Sequence, residues 1–210
     1  MSLADPRRDA PTFHRNIGPI LEVLKPRIST TPGHALEIGS GSGQHVIAFA
    51  KAFPNLTWWP TEYAQENIAS IDAWRETEGM ANVQPANQLD ASQTDWKMGV
   101  DGRPPNAIDA IFTANVIHIS PWEVCTGIVQ GAARHLTSGG SLFFYGPFIR
   151  ADRVTAPSNT AFDQDLRSRN SLWGIRNLAD VSAVATNAGF EEPKTTEMPA
   201  NNLIVQFQKR

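Results

Sequence analysis

The chain has 210 residues, of which 41% are hydrophobic and 19% charged, and its formal net charge is -3. That length suits one domain with a sizeable core, and with no basic block beside the aromatic residues nothing calls for an obligatory nucleic-acid partner. No stretch reaches the roughly 20 apolar residues of a membrane-spanning helix, and the one cysteine, Cys125, cannot form an internal disulfide, so a cytoplasmic protein without membrane contact is expected.

In chain order, residues 1–11 are polar and proline-containing and are expected to form a flexible tail. Ile17, Ile20, Leu21, Leu24 and Ile28 recur at helical spacing, which predicts an amphipathic helix over 13–28, divided at Pro19 and Pro26. Pro32-Gly33 marks a turn into a strand, His34 to Ile38, and the helix that follows runs to about Phe53. Leu56 to Glu62 is aromatic and β-branched and reads as a second strand, which Pro60 restricts to an edge or a strand terminus. A helix is expected over 64–78, and Val83 begins a weak third strand. Residues 92–106, rich in Pro, Gly and polar side chains, read as loop. Ile108 to Ile117 is the continuous apolar run of a central strand, followed by a helix from Trp122 to Leu136, a turn at Ser138-Gly139-Gly140 and a strand at Leu142 to Tyr145. Arg150 to Leu172 lacks strand periodicity and is expected to be a lid or binding loop, taken as 150–173. A helix ending at Asn187 precedes strands at Lys194 to Met198 and Leu203 to Gln208, whose short connection predicts an antiparallel pair. The whole chain, 1–210, therefore reads as one α/β domain.

The informative stretch is Glu37-Ile38-Gly39-Ser40-Gly41-Ser42-Gly43, between the first strand and its helix. Glycines there remove the Cβ atoms that would keep backbone away from a nucleotide-like ligand. A dinucleotide fingerprint needs its third glycine at position 44, where Gln44 stands, and this counts against a nicotinamide-dependent oxidoreductase. Glu62 falls 23 positions after Gly39, near the offset at which a carboxylate at the end of a second strand accepts hydrogen bonds from both ribose hydroxyls. The spacing E-x-G-x-G-x-G resembles motif I of the seven-stranded methyltransferases that use S-adenosylmethionine (SAM). The resemblance implies a Rossmann-like fold, a mostly parallel sheet with an antiparallel C-terminal hairpin. It also implies Glu37 at the methionine amino group, with Gly39, Ser40, Gly41 and Gly43 beneath the ribose and methionine. Glu62 and Tyr63 would then lie at the ribose, Asp90 and Ala91 at the adenine, and Asn115 at the cofactor edge.

Further pieces resemble one family, the methyltransferase-like 26 family. They are His14-Arg15-Asn16, Trp58 to Glu62, His118-Ile119-Ser120-Pro121-Trp122, Tyr145-Gly146-Pro147-Phe148, Trp173-Gly174-Ile175-Arg176 and Pro199-Ala200-Asn201-Asn202-Leu203. Arg15 and Asn16, opening the first helix, are then expected to close over the cofactor. His118 and Tyr145, at the ends of the fourth and fifth strands, are the candidates for proton handling. Asn159, Asp163, Arg167, Trp173, Arg176, Asn201 and Asn202 would roof the acceptor pocket. The expected activity is methyl transfer from SAM to an O, N or S atom of a small molecule, with no metal. A non-catalytic SAM-binding module is the alternative. The oligomeric state stays open, a homodimer included.

Overall fold

The computed structural model describes residues 5–210; the first four residues of the expected tail lie outside them. Strands and helices alternate because each parallel crossover must carry the chain across a face of the sheet, which a helix does compactly. The order is α1 (Pro11–Leu24), β1 (Gly33–Ile38), α2 (Gln44–Ala52), β2 (Leu56–Glu62), α3 (Gln65–Thr77), β3 (Asn87–Gln88), β4 (Ile108–Ala114), α4 (Trp122–His135) and β5 (Leu136–Gly146). There follow β6 (Phe148–Ile149), α5 (Pro157–Arg169), β7 (Arg176–Asn177), α6 (Leu178–Asn187), β8 (Lys194–Met198) and β9 (Asn202–Gln208).

Seven strands form one sheet in the order β3-β2-β1-β4-β5-β9-β8. The pairs from β3 to β5 are parallel, while β9 runs antiparallel to both β5 and β8. This is the mostly parallel, Rossmann-like arrangement with an antiparallel hairpin that the sequence predicts. The strand order reverses between β1 and β4, the position at which sheets of this kind hold a ligand outside the C-terminal strand ends. Alternation along β4 sends Phe112 to a core shared with Ile20, Leu24, Val46, Phe49, Trp58 and Tyr145, and Ile111 to one shared with Ile128, Val129, Leu142, Val181 and Phe207. Helices α1 to α3 thus cover one face and α4 and α6 the other.

Several expected boundaries move. Residues 8–10 are not a free tail: Arg8 N donates to Ser70 Oγ (2.8 Å), Ala10 N to Gln44 Oε1 (2.8 Å), and Trp74 Nε1 to the Arg8 carbonyl (3.0 Å). Helix α1 starts at Pro11, continues through Pro19 and ends at Leu24, short of the expected Ile28. Pro60 lies in a strand paired on both sides, but its missing N–H points to the gap between the Trp58–Val83 bridge and β3. Strand β4 stops at Ala114, since Asn115 turns the chain at φ 59° into a 3-10 turn, Val116–His118. Strand β5 runs through Gly139 and Gly140 with a register shift against β4. The expected 150–173 loop holds a 13-residue helix, α5, which begins with Pro157 in its first turn and buries Asn159 and Leu166.

Candidate active-site crevice

The three loop glycines have φ of 72° (Gly39), 55° (Gly41) and 93° (Gly43), a region L-residues avoid. They serve different ends. A Cβ on Gly39 would sit 2.3 Å from Val116 Cγ2, and one on Gly43 2.7 Å from Ile71 Cα, so these two let the loop pack against its neighbours. A Cβ on Gly41 would meet nothing within 4 Å. The middle glycine therefore keeps the outer surface of the loop clear.

Glu62, 9% exposed, ties this loop to the end of β2: its Oε2 accepts from Gly41 N (2.8 Å), and its Oε1 from Tyr63 N (2.9 Å) and Ala64 N (3.1 Å). Sequence reasoning assigns this carboxylate to a ligand, yet its partners here are three backbone N–H groups. Of its roughly four acceptor positions one is free.

Glu37, 1% exposed, shares the α1–α3 face of β1 with Ala35, and its Oε2 is buried with no partner. Burial pushes its carboxyl from 4.5 up to about 8, and the charge of Glu62 adds in the same direction. Its neighbour is His45 of α2, with Nδ1 4.0 Å from Glu37 Oε1. His45 is stacked on Phe49 and meets the edges of Phe13 and Phe112. Burial lowers its imidazole to about 4, so at neutral pH both groups are uncharged. His45 and Gln44 escape sequence-based selection. Gln44 accepts from Ser42 Oγ (3.0 Å) and donates to Asp9 Oδ1 (2.6 Å), lashing the N-terminal segment across the loop. The available signal was its place where a dinucleotide fingerprint has glycine. Ser40 is buried beside Glu37, where its hydroxyl opposes the rise of the carboxyl.

Further along the same face, alternation brings up Ala114 of β4 and Tyr145 of β5, paired in register. Ala114 is small and partly exposed. Tyr145 OH accepts from Asn202 Nδ2 (3.1 Å). Burial raises the phenol, opposed by that hydrogen bond and by the Arg15 guanidinium of α1. Arg15 is exposed and Asn16 half-buried. Asn201, at φ 58°, donates to Ser158 Oγ, and Asn159 Nδ2 donates to the Asn201 carbonyl, fixing α5 to the turn before β9.

His118 differs from its expected position. It has no exposed surface, it meets Phe148 edge-on (5.3 Å), and both ring nitrogens lack partners. A Cβ on Gly146 would lie 2.6 Å from His118 Nε2 and 2.8 Å from Asn115 Oδ1, so the backbone at Gly146 screens the imidazole. Burial lowers it to about 3, with the Arg176 charge acting likewise.

The expected roof residues divide into two groups. Asp163 accepts from Arg167 Nε (2.8 Å) and Ile175 N (2.7 Å). Arg176 lies over Trp122 (5.8 Å) and donates to the carbonyls of Ile117 (2.8 Å), Ser120 (2.5 Å) and Leu172 (2.9 Å). Arg176 thus braces the 116–122 turn against the 170–177 segment and Asp163 ties α5 to the same segment, with Trp173 beneath Arg169. Arg176 spends its hydrogen bonds on backbone carbonyls, Asp163 divides its own between Arg167 and the Ile175 amide, and Arg167 pairs with Asp163, none of which contact-free sequence reasoning has the means of seeing. At the other end of the crevice, Asp90 accepts from Ser92 N (3.0 Å), Ser92 Oγ (2.6 Å) and Gln93 Nε2 (3.1 Å) in a tight turn. It borders a recess of about 270 Å³ lined also by the exposed Tyr63, Leu89, Trp96 and Arg103. Ala91 is buried, its carbonyl packed against Gly127 of α4. Among the described residues no group of three or more His, Cys, Asp or Glu side chains is placed to hold a metal, and no helix is long and apolar enough to cross a membrane.

The sheet order, the glycine loop and the acidic strand ends together define the seven-stranded methyltransferase fold. The chain belongs to the family described as Protein of unknown function (DUF938), whose pattern spans residues 7–209. Among solved structures it is similar to PigF with SAH (TM-score 0.75, 15% identity, 94% of this chain and 57% of that one). It is also similar to human N-acetylserotonin methyltransferase in complex with SAM (0.74, 14%, 94% and 52%) and to YcgJ from Bacillus subtilis (0.68, 15%, 94% and 99%). The chain spans about half the length of PigF and of the human methyltransferase and nearly all of YcgJ.

Proposed function

We propose that this protein is a SAM-dependent methyltransferase acting on a small-molecule acceptor in the cytoplasm, of the methyltransferase-like 26 kind that its motifs resemble. The observation that carries the proposal is the bare loop surface at Gly41 beside a buried, unpartnered Glu37 oxygen. One oxygen of this buried carboxyl has no donor, which is costly once the group ionises, and a ligand ammonium resolves it with a charge-assisted hydrogen bond. Glu37 would hold the ammonium of SAM, Gly39 to Gly43 would underlie its methionine and ribose, and Glu62 would spare its free acceptor position for a ribose hydroxyl. Asp90 and the recess beside Tyr63 suit the adenine. The ligands bound to PigF and to the human enzyme support this assignment. Bound there, SAM supplies an electrophilic methyl group on a positively charged sulfur.

Transfer of that methyl is an in-line displacement, so this chain contributes mainly alignment and exclusion of water. Tyr145, held by Asn202 and with its phenol raised, stays protonated at neutral pH and orients the acceptor by hydrogen bonding. Arg15 and Asn16 close the crevice from α1. His118 stays neutral, and a direct role for it requires the Gly146 segment to move aside. The test is calorimetric titration with SAM and SAH, with NAD as control. Binding of the two sulfur ligands and not NAD is expected, and no binding of either at millimolar concentration overturns the proposal. Methyl incorporation from labelled SAM into a metabolite extract, read by mass, then identifies the acceptor class.

A further inference from the structure

At the opposite pole of the sheet, where β1 and β4 begin, lies a cavity of about 390 Å³ that the crevice does not use. That volume falls in the range of small-molecule sites, roughly 300–1,000 Å³. Its lining comes from the turn after α1, the start of β4 and the first half of β5. The floor is apolar, made of Ile28, Leu56, Ala110 and Phe143, all buried. Arg27 lines it as well: Nη2 donates to Thr196 Oγ1 (2.7 Å), while Nη1 is buried with no partner. An unsatisfied buried donor on a cation is costly and calls for an anionic acceptor.

Asp109, the acid in the same lining, does not serve. Its Oδ2 accepts from His34 N (2.9 Å) and its Oδ1 from Thr137 Oγ1 (3.1 Å). Its fixed negative charge also disfavours any ligand with more than one negative charge. We infer that this cavity binds a small organic monocarboxylate, with the carboxylate on Arg27 Nη1 and an apolar body over Ile28, Leu56 and Phe143. A phosphate dianion matches neither the floor nor Asp109. The site is independent of the proposed SAM crevice.

The test titrates the full chain with hexanoate, benzoate and inorganic phosphate, followed by calorimetry or by NMR shifts. Both organic acids are expected to bind, phosphate at least about ten-fold more weakly, and SAH to displace neither. Arg27→Met should weaken the acids by about ten-fold or more, the worth of a charge-assisted hydrogen bond. Ser138→Phe, at the exposed rim, should block entry with the fold intact, and it carries the test if Arg27→Met does not fold. The inference is overturned if neither acid binds at millimolar concentration, if phosphate binds as well as the acids, if SAH displaces them, or if the folded variants bind like the parent.

Discussion

Glu37→Gln probes the crevice most sharply, because it removes a charge while keeping the side chain's shape. The folded carboxyl titrates at about 8 against 4.5 when exposed, because burial penalises the ionised form. An acid raised in the folded state makes the native protein hold its proton more tightly than the unfolded chain. Stability is therefore undiminished below pH 4.5 and falls as pH rises from there to about 8. The penalty accumulated by pH 8 is roughly 4 kcal/mol at 1.36 kcal/mol per pH interval, an upper figure since water entering the crevice relieves part of it. Glu37→Gln lacks this penalty, so it should equal the parent near pH 5 and exceed it at pH 8, as read by urea denaturation. Ligand binding should respond in the opposite sense. An ammonium needs ionised Glu37, so SAH affinity in the parent should rise about fifty-fold from pH 6 to 8, with release of close to one proton at pH 7. In Glu37→Gln both the affinity gain and the proton release disappear, and affinity falls by about ten-fold or more. Equal pH slopes of stability in the two proteins, or SAH binding without proton release, would refute the reasoning.

The glycines offer a contrast within one loop. Gly41→Val should abolish SAH binding with little loss beyond the roughly 1–2 kcal/mol of a left-handed residue, whereas Gly43→Ala should destabilise more through its clash with the Ile71 backbone, both read by thermal melts and calorimetry. Glu62→Ala strips the acceptor from three backbone N–H groups and should weaken SAH several-fold while costing about 1–3 kcal/mol; unchanged affinity would show that the loop is not the site. Tyr145→Phe should lower methyl-transfer kcat with SAH affinity unchanged, and a change in SAH affinity alone would move Tyr145 to the cofactor side. Buried neutral His45 and His118 titrate at about 4 and 3 against 6.5 when exposed, so stability is full above pH 6.5 and is lost as pH falls through that window. His118→Phe should flatten part of that acid limb in a pH series of denaturation midpoints.

Legible from the residues alone are the features written in local periodicity and spacing. Apolar runs and Gly/Pro punctuation place β1, β2, β4, α4 and the terminal hairpin within a few residues, because each depends on its own residues' alternation or turn chemistry. The order and handedness of crossovers then leave few sheets open, and the Glu37–Gly43 spacing marks the end at which the crevice lies. What each polar side chain faces is set by the folded chain. Arg176, Asp163 and Arg167 look like pocket residues in sequence, yet Arg176 spends its hydrogen bonds on carbonyls up to 59 positions away, and Asp163 and Arg167 are paired with each other. His118 carries a catalytic residue type, but the Gly146 backbone covers it. His45 becomes part of the site because α2 sets it beside Glu37, and helix α5 holds where periodicity is poor because Leu166 and Asn159 dock into the fold. Burial and partner choice are long-range properties. They arise when distant segments exclude water together, and no local pattern encodes them.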